Sequence, residues 1–324
     1  MPNRTSAPCE GPDLLTLGEP LISLTAERGR LVHSRDLTKS IGGAEVNVAI
    51  GLARLGLRAR FLGRVGADPF GDEIVNTLRG EGVDTTGVTR SPTAPTGMMV
   101  KERFCEDAVS VFYYRSASAA TEMGEDSAGP EEASPRHVFV TGITLALGHG
   151  PTRAVQELVT RASDWQASVS FDPNFRLKLT TLDAAVTSAK GLLGSVDHLL
   201  LSESEALAIT GASTLEQAMT DLAGAVEHVV IRRGLLGAVG TAGASRNLVV
   251  PAFSVGPAVD SVGAGDAFTA GYLYEMLCGG DFAAALQTGA WAAGHVVAHR
   301  GDYEGLPFRS EYDAWRLDEA SVFR

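Results

Sequence analysis

Short apolar runs alternate with segments of helical periodicity along most of the chain. Within 44–57, Val46, Ala49, Ile50 and Leu57 follow one another at helical spacing, which predicts a helix with one buried face. Similar periodicity predicts further helices at about 69–82, 152–165, 214–225, 266–278 and 282–299. Compact apolar runs that end near Gly, Pro, Asp or Glu predict strands at 14–18, 59–65, 137–141, 168–172, 198–201 and 228–231.

The alternation of strands and helices predicts an α/β fold with a mainly parallel central sheet that is flanked by helices on both faces. Two stretches, 20–41 and 96–117, show strand-like alternation with no helix between them. They predict a small antiparallel sheet that projects from the main one. Segment 122–135 is polar, acidic and rich in turn residues, which predicts a solvated loop.

The same patterns suggest where the folded domain begins and ends. Residues 1–12 are rich in Pro, Ser and charge, and we expect them to form a flexible tail. Residues 13–308 are expected to form one domain, and 309–324 a C-terminal extension.

Composition narrows the class of partner. With 324 residues, 44% hydrophobic and 20% charged, the chain has the composition of a globular protein. Its 27 Lys and Arg against 39 Asp and Glu give a net charge of −12, which argues against nucleic acid or an anionic membrane surface as partner. The three cysteines are widely spaced, which indicates neither a disulfide framework nor a zinc site. No secretory or membrane-spanning segment is apparent, so we expect a cytoplasmic protein that handles a small molecule.

One glycine-rich segment leads directly into a predicted helix. Residues 260–266 read DSVGAGD, and the apolar helix pattern follows. Small residues at a helix start expose backbone N–H groups, and the helix dipole adds partial positive charge, so such a turn is suited to a phosphate. Asp266 lies in the first helical turn. On spacing alone, Asp266 is equally well explained as a helix-capping residue.

A second glycine segment, GGAEVNVA at 42–49, also leads into a helix. Together the two segments resemble the two signatures of the ribokinase-like family of carbohydrate and nucleoside kinases. The resemblance extends through 63–71 and 80–83 and covers about 13–308. It implies a ribokinase-like α/β sandwich with a small β-sheet lid, and ATP-dependent phosphorylation of a hydroxyl group. The P-loop pattern is absent, and 263–268 departs from the dinucleotide-binding pattern.

The resemblance also implies roles for individual residues. Asp266 would be the general base, and Gly263, Ala264 and Gly265 would form an anion hole that also contacts ATP. Asp260 falls where many family members bind a monovalent cation such as K⁺. The remaining implied ATP contacts are Asn174, Arg176, Arg232, Gly234 and Gly237.

Magnesium is implied through Glu205, which would act on Mg²⁺ indirectly. Ser202 stands where the family has Asn, and Arg232 where it usually has Lys. The alternative for Glu205 is a charged residue at a helix N-terminus.

Two arginines favour a sugar acid as the phosphate acceptor. Tyr113 and Arg115 share one face of a predicted lid strand, and Arg176 follows a predicted core strand. A guanidinium offers a carboxylate two parallel hydrogen bonds. The alternatives are a solvated strand-edge charge for Arg115 and an ATP-phosphate contact for Arg176.

These details resemble the 2-keto-3-deoxygluconate (2-dehydro-3-deoxygluconate) kinase subgroup, which phosphorylates the terminal C6 hydroxyl. Met99 stands where that subgroup commonly has a lid tyrosine. The resemblance implies that substrate contacts come from Gly43, Ala44, Glu45, Val46, Asn47, Tyr113, Arg115, Arg176, Asp266 and Asp302. The alternatives are a fructokinase, ribokinase or nucleoside kinase of the same family, or a non-catalytic sugar-sensing or scaffold protein. Family members often pair through their lids, so a homo-oligomer is expected.

Overall fold

The structure, a computed structural model, describes residues 11–26, 29–105, 108–243 and 247–322. Its strands form two sheets. They are β1 (Leu14–Leu17), β2 (Leu21–Ala26), β3 (Thr38–Gly42), β4 (Ala59–Gly66), β5 (Asp84–Ser91), β6 (Met98–Cys105), β7 (Ala108–Tyr114), β8 (His137–Thr141), β9 (Ser168–Asp172), β10 (His198–Ser202), β11 (His228–Arg232), β12 (Ala238–Ala242) and β13 (Leu248–Val250).

The α-helices connect these strands and flank the larger sheet. They are α1 (Ala44–Arg54), α2 (Pro69–Gly80), α3 (Gly142–Leu145), α4 (His149–Asp164), α5 (Leu182–Leu192), α6 (Glu203–Thr210), α7 (Leu215–Ala223), α8 (Ala264–Leu277), α9 (Phe282–Val297) and α10 (Arg309–Val322).

The larger sheet has nine strands in the order β13-β12-β11-β10-β9-β8-β1-β4-β5. Neighbours from β11 to β5 pair in parallel, whereas β12 runs in the opposite direction and pairs antiparallel with both β11 and β13. Two apolar cores are built on it, one including α1, α8 and α9 and the other α4, α6 and α7. The predicted α/β class is confirmed. Because parallel strands share their carboxyl edge, the loops after β1, β8, β9, β10 and β11 converge there.

The smaller sheet, here called the lid, has the order β3-β2-β6-β7. The predicted purely antiparallel arrangement is wrong, because β2 pairs with β6 in parallel. Side chains alternate between its two faces, as the pleat requires. Met99 and Lys101 face inward, whereas Phe112 and Tyr114 are exposed on the outer face.

The start of the fold lies earlier than predicted. Pro12 is buried, and its carbonyl accepts a hydrogen bond from the N–H of Arg136. Residues 11 and 12 therefore belong to the folded domain and not to a tail. The remainder of the predicted tail, 1–10, lies outside the described residues.

The predicted C-terminal extension, 309–324, forms helix α10 in the part that the structure describes. Helix α10 packs against α8 and α9: the Tyr312 hydroxyl donates to Glu275 Oε2 over 2.7 Å, and the Trp315 ring stacks on Trp291 with 5.0 Å between centroids. Tyr312 belongs to the same core as the main-sheet residues.

Segment 122–135 is largely exposed, as its polarity predicts, but it also contributes buried residues to a core. Short 3₁₀ turns at 119–122, 125–128 and 131–133 bury Met123, Ala128 and Ala133 against the second core. These apolar residues recur at every fifth position, which matches neither the helical nor the strand period, so those two patterns do not reveal the packing.

Three histidines lie side by side at the amino ends of β8, β10 and β11. The ring of His198 stacks on that of His228, with 4.4 Å between centroids, and lies 5.5 Å from that of His137. His198 Nδ1 shares a 2.8 Å hydrogen bond with the Tyr272 hydroxyl. Burial lowers the pKa of His137 to about 3 and that of His198 to about 2, because the cationic form is poorly solvated there.

These histidines should make the fold acid-labile. The pKa of each histidine is lower in the folded state than its unfolded value of about 6.5. Its contribution to the free energy of unfolding is therefore complete above about pH 6.5, and it decreases as the pH falls toward the folded pKa. Two such groups should lower the free energy of unfolding by about 3 kcal/mol between pH 7.5 and 5.5. Urea unfolding at both pH values measures this. We expect His198→Gln to reduce the difference by about half and the exposed His33→Gln to leave it unchanged; an unaltered difference in His198→Gln would contradict the assignment.

Candidate active site

A cavity of about 990 Å³ lies between the carboxyl edge of the large sheet and the inner face of the lid. Its walls come from both sheets. The lid contributes Met99, Lys101, Val111, Tyr113 and Arg115, and the main domain contributes the two glycine turns together with Asp172, Arg176, Arg232, Asp266 and Asp302. The structure therefore brings together most residues that the sequence predicts for the site.

Helix α8 points its N-terminus into the cavity. Gly263 precedes the helix with φ of +79°, and a β-carbon there would collide with the carbonyl oxygen of Asp302. Glycine is therefore required at 263 for two reasons, a left-handed backbone and a close contact. No side chain caps this helix. The Ala264 N–H donates to the Ser261 carbonyl over 3.3 Å. The first-turn N–H groups of an α-helix lack intrahelical partners, so this turn has the features of the predicted anion-binding turn.

Helix α1 points a second uncapped N-terminus at the same cavity. Gly43, with φ of +136°, precedes it. Asn47 lies one turn later and donates from Nδ2 to Asp266 Oδ2 over 2.7 Å. The Oδ1 atom of Asn47 is buried, and none of the described residues hydrogen-bonds to it. A buried amide oxygen without a partner is costly, so this atom is suited to accept from a bound hydroxyl.

The Asp266 carboxylate has the electrostatics of a base that works near neutral pH. Burial raises its pKa to about 6, opposed by the hydrogen bond from Asn47 and by the charges of Arg176 and Arg232. Asp266 is not an N-cap, because Gly263 holds that position. The capping alternative is therefore excluded by the structure.

Arg232 lies beneath the anion-binding turn. Its Nη2 contacts Asp172 Oδ2 at 2.8 Å, and its Nη1 donates to the Gly265 carbonyl over 2.9 Å. Burial raises the pKa of Asp172 to about 7, opposed by Arg232. The guanidinium thus links the end of β9 to the first turn of α8, besides lining the cavity.

Glu205 lies in the first turn of α6, which agrees with the alternative that it is a charged residue at a helix N-terminus. Its Oε2 accepts from the N–H and the hydroxyl of Ser202, both at 2.7 Å, and its Oε1 accepts from the Phe175 N–H at 2.6 Å. This capping box of α6 holds the loop after β9 in place. Three hydrogen bonds thus engage the carboxylate within the protein, which agrees with the indirect influence on a metal that the sequence suggests.

Arg115 is neither solvated nor free. Its side chain is 5% exposed and forms an ion pair with Glu19, whose other oxygen accepts from the Ser118 hydroxyl. Burial raises the pKa of Glu19, against the lowering effect of Arg115. The sequence did not identify Glu19, in the Gly18-Glu19-Pro20 run that follows β1, as the charged partner of Arg115. Arg115 still lines the cavity.

Two predicted substrate contacts in the first turn of α1 have other surroundings. The Val46 side chain is fully buried in the apolar core and does not line the cavity, so the structure does not support a side-chain contact with substrate. The Glu45 carboxylate accepts from the hydroxyls of Thr141 and Thr144, at 2.6 and 2.7 Å, at the cavity wall. Burial raises the pKa of Glu45.

The outer end of the cavity is mostly apolar and lies beside the other predicted nucleotide contacts. Leu235, Phe253 and Val297 line it together with Gly234 and Gly237. Asn174 also lines the cavity and has a φ of +40°. Arg176 is exposed and, within the described residues, is the cavity-lining cation that has no ion-pair partner.

Asp260 and Asp302 flank the α8 turn. Asp260 is buried, and its Oδ1 accepts from the Val262 N–H at 3.1 Å. Asp302 forms an ion pair with Lys101, which the sequence analysis did not single out. Across the described ranges, no cluster of three or more His, Cys, Asp or Glu side chains is arranged to hold a metal. Nor does any described helix have the length and apolarity to cross a membrane.

Comparison with known proteins covers nearly the whole chain. Residues 13–309 match the family model of the pfkB family of carbohydrate kinases. The chain is 34% identical over 317 residues to a 2-dehydro-3-deoxygluconokinase of Bacillus subtilis, covering 96% of this chain and 97% of that one.

Two solved structures are also similar to this chain over most of its length. A PfkB protein from Polaromonas sp. is 32% identical, with a TM-score of 0.84 over 94% of this chain and all of that one. A sugar kinase from Pyrococcus horikoshii, solved in complex with ATP, is 25% identical, with a TM-score of 0.79 over 92% of this chain and 96% of that one.

Proposed function

Because the chain belongs to the pfkB family of carbohydrate kinases, we propose that it phosphorylates the terminal C6 hydroxyl of 2-keto-3-deoxygluconate with ATP. The observation that carries the proposal is the contact between Asn47 and Asp266 at the meeting point of two uncapped helix N-termini. This arrangement combines a base with two sources of partial positive charge.

The proposed reaction proceeds by in-line phosphoryl transfer. Asp266 takes the proton from the acceptor hydroxyl, whose oxygen then attacks the terminal phosphorus of ATP. The bond from that phosphorus to the bridging oxygen breaks, and ADP leaves with the electron pair. The N–H groups of Gly263, Ala264 and Gly265 stabilise the charge that develops on the transferred phosphoryl group. A base with a pKa of about 6 is ionised at neutral pH and still basic enough to accept the proton.

The apolar outer end of the cavity supports binding of the adenine base, with Asn174, Arg176, Gly234 and Gly237 near the phosphates. Mg²⁺, when bound with ATP, neutralises charge on the phosphate oxygens. Such an ion takes most of its ligands from phosphate and water, which fits a site where Glu205 acts indirectly. We also propose a K⁺ site at Asp260, which activity measured with K⁺ in place of Na⁺ would test.

Two chemical features support a sugar acid. Asn47 offers a buried acceptor for a hydroxyl, and Arg176 and Arg115 bring cationic groups to the same cavity. The name of the Bacillus subtilis relative agrees with this class of acceptor. We further propose a cytoplasmic enzyme that forms homo-oligomers through the lid, whose outer face exposes Phe112 and Tyr114.

The test is an ATP-consumption screen across sugar acids, neutral sugars and nucleosides. We expect 2-keto-3-deoxygluconate to have the highest kcat/KM and the product to carry phosphate on C6. A preference for fructose, ribose or a nucleoside would reject the acid while leaving the kinase assignment intact. No consumption with any acceptor would favour a sugar-sensing protein.

A further inference from the structure

Lys101 and Asp302 form a buried ion pair on the wall of the cavity. The Lys101 Nζ contacts both carboxylate oxygens of Asp302, at 2.8 and 2.7 Å, and each side chain is 4% exposed. The two residues are 201 positions apart in the chain. One comes from lid strand β6 and the other from the loop between α9 and α10, so the pair joins the lid to the main domain.

The carboxylate of Asp302 lies between the two glycine turns. A β-carbon at Gly42 would approach Asp302 Oδ2 to 2.8 Å and the end of Met99 to 2.7 Å. The backbone carbonyl of Asp302 is packed against Gly263. Its position is therefore fixed relative to both helix N-termini that meet at Asp266.

A pair with this burial is costly to form. Moving two charges out of water carries a desolvation penalty that their attraction offsets only in part, so a buried ion pair is weak evidence for stability. Each Asp302 oxygen keeps a lone pair after accepting from Lys101. The pair therefore presents an ionised acceptor of fixed orientation at the cavity wall.

We propose that Lys101 is a positioning residue for sugar recognition, which holds the Asp302 carboxylate in an orientation that accepts a hydrogen bond from an acceptor-sugar hydroxyl. This inference rests on the proposed sugar kinase function and adds the lid residue on which that recognition depends. The lid is then a part of the sugar site through Lys101, in addition to covering it.

Replacing Lys101 alone does not separate recognition from folding. Lys101→Met leaves a buried carboxylate without its cation, which destabilises the fold by itself. The double variant Lys101→Met with Asp302→Asn removes both charges and should recover the melting temperature of the wild type. A recognition role and a structural role then predict different sugar KM values.

The experiment measures KM for the sugar, KM for ATP, kcat and melting temperature in both variants. We expect the sugar KM to rise about 10- to 100-fold in the single and double variants, the usual effect of losing a charge-assisted hydrogen bond. KM for ATP and kcat should change by only a few-fold. Lys101→Arg, which keeps the cation, should recover most of the sugar affinity.

Lys39→Met is the matched control. Lys39 also joins the lid to the main domain, through an exposed ion pair with Glu73 on α2, and it lies outside the cavity lining. We expect no change in the sugar KM of this variant. An equal rise in Lys39→Met, or a normal sugar KM in the double variant, would overturn the proposal.

Failure of the proposed function is seen in the wild type and is therefore distinct from failure of the role proposed for Lys101. If the wild type does not phosphorylate 2-keto-3-deoxygluconate, the comparison is made with the acceptor that the screen identifies. The KM for that acceptor in the same variants then tests the role of Lys101. A wild type that is inactive with every acceptor overturns both proposals.

Discussion

The Asp266→Asn variant is expected to fold and bind ATP but to turn over about 10²- to 10⁴-fold more slowly than the wild type. Asparagine retains the shape of the side chain and can still contact Asn47, but it cannot accept the proton of the attacking hydroxyl. The variant also gives up a buried carboxylate, so we expect its melting temperature to hold. Steady-state kinetics with saturating sugar and ATP measures the loss.

Asp281→Asn is the control for this substitution. Asp281 caps α9, its side chain accepts from the Ala284 N–H at 2.8 Å, and it lies outside the cavity lining. Asparagine is an equally good cap, so activity and stability should stay near the wild-type values. Near-normal turnover in Asp266→Asn would show that Asp266 is not the general base.

The pH profile gives an independent check on Asp266. Because burial raises its pKa to about 6, the wild-type kcat/KM should fall about tenfold per pH unit below that value, as the protonated acid loses its ability to accept a proton. Above about pH 7 this group should cause no further change. Asp266→Asn should lack this acid limb, whereas retention of the limb would assign it to another group.

Central elements of the fold follow from sequence pattern because burial on both faces leaves continuous apolar runs. The run at 198–201 becomes β10, and 168–172 becomes β9 with the predicted bounds. Strand β5, of sequence DTTGVTRS, was missed because it is polar and lies at the edge of the sheet. An edge strand with an exposed face lacks the continuous apolar run on which these predictions rely.

The local motifs of the site were predictable, and the charge pairs were not. The glycine turns owe their function to consecutive residues, so their sequence shows where phosphate would bind. The ion pair between Lys101 and Asp302, by contrast, forms only when the lid contacts a loop that lies 201 residues later in the chain. Nothing in a single sequence relates two such positions, because each alone is a common surface residue.

Arg115 is expected to contribute about 10- to 100-fold to kcat/KM for the sugar acid, the usual value of a charge-assisted hydrogen bond to a carboxylate. Its pairing with Glu19 changes how this must be tested. Arg115→Ala alone would leave the Glu19 carboxylate buried without its cation, and the fold could suffer as much as substrate binding.

The double variant Glu19→Gln with Arg115→Met removes both charges and preserves side-chain volume. We expect it to lose about 10- to 100-fold in kcat/KM for 2-keto-3-deoxygluconate, but only a few-fold for a neutral analogue without the carboxylate. The ratio of the two losses is the quantity of interest, because a packing defect lowers both equally. Equal losses would show that Arg115 supports the lid and leaves the carboxylate to another cation.

Arg176 is the second arginine that we propose for the carboxylate. It is exposed and has no ion-pair partner within the described residues, so Arg176→Ala creates no unpaired buried charge. Its charge also lowers the pKa of Asp266, so the variant should move the acid limb of the pH profile upward. A loss confined to the acid substrate would make Arg176 a carboxylate ligand, whereas a raised KM for ATP would place it at the phosphates. Because the two arginines line one cavity, an acid-specific loss in both variants would indicate that they hold the same carboxylate from two sides.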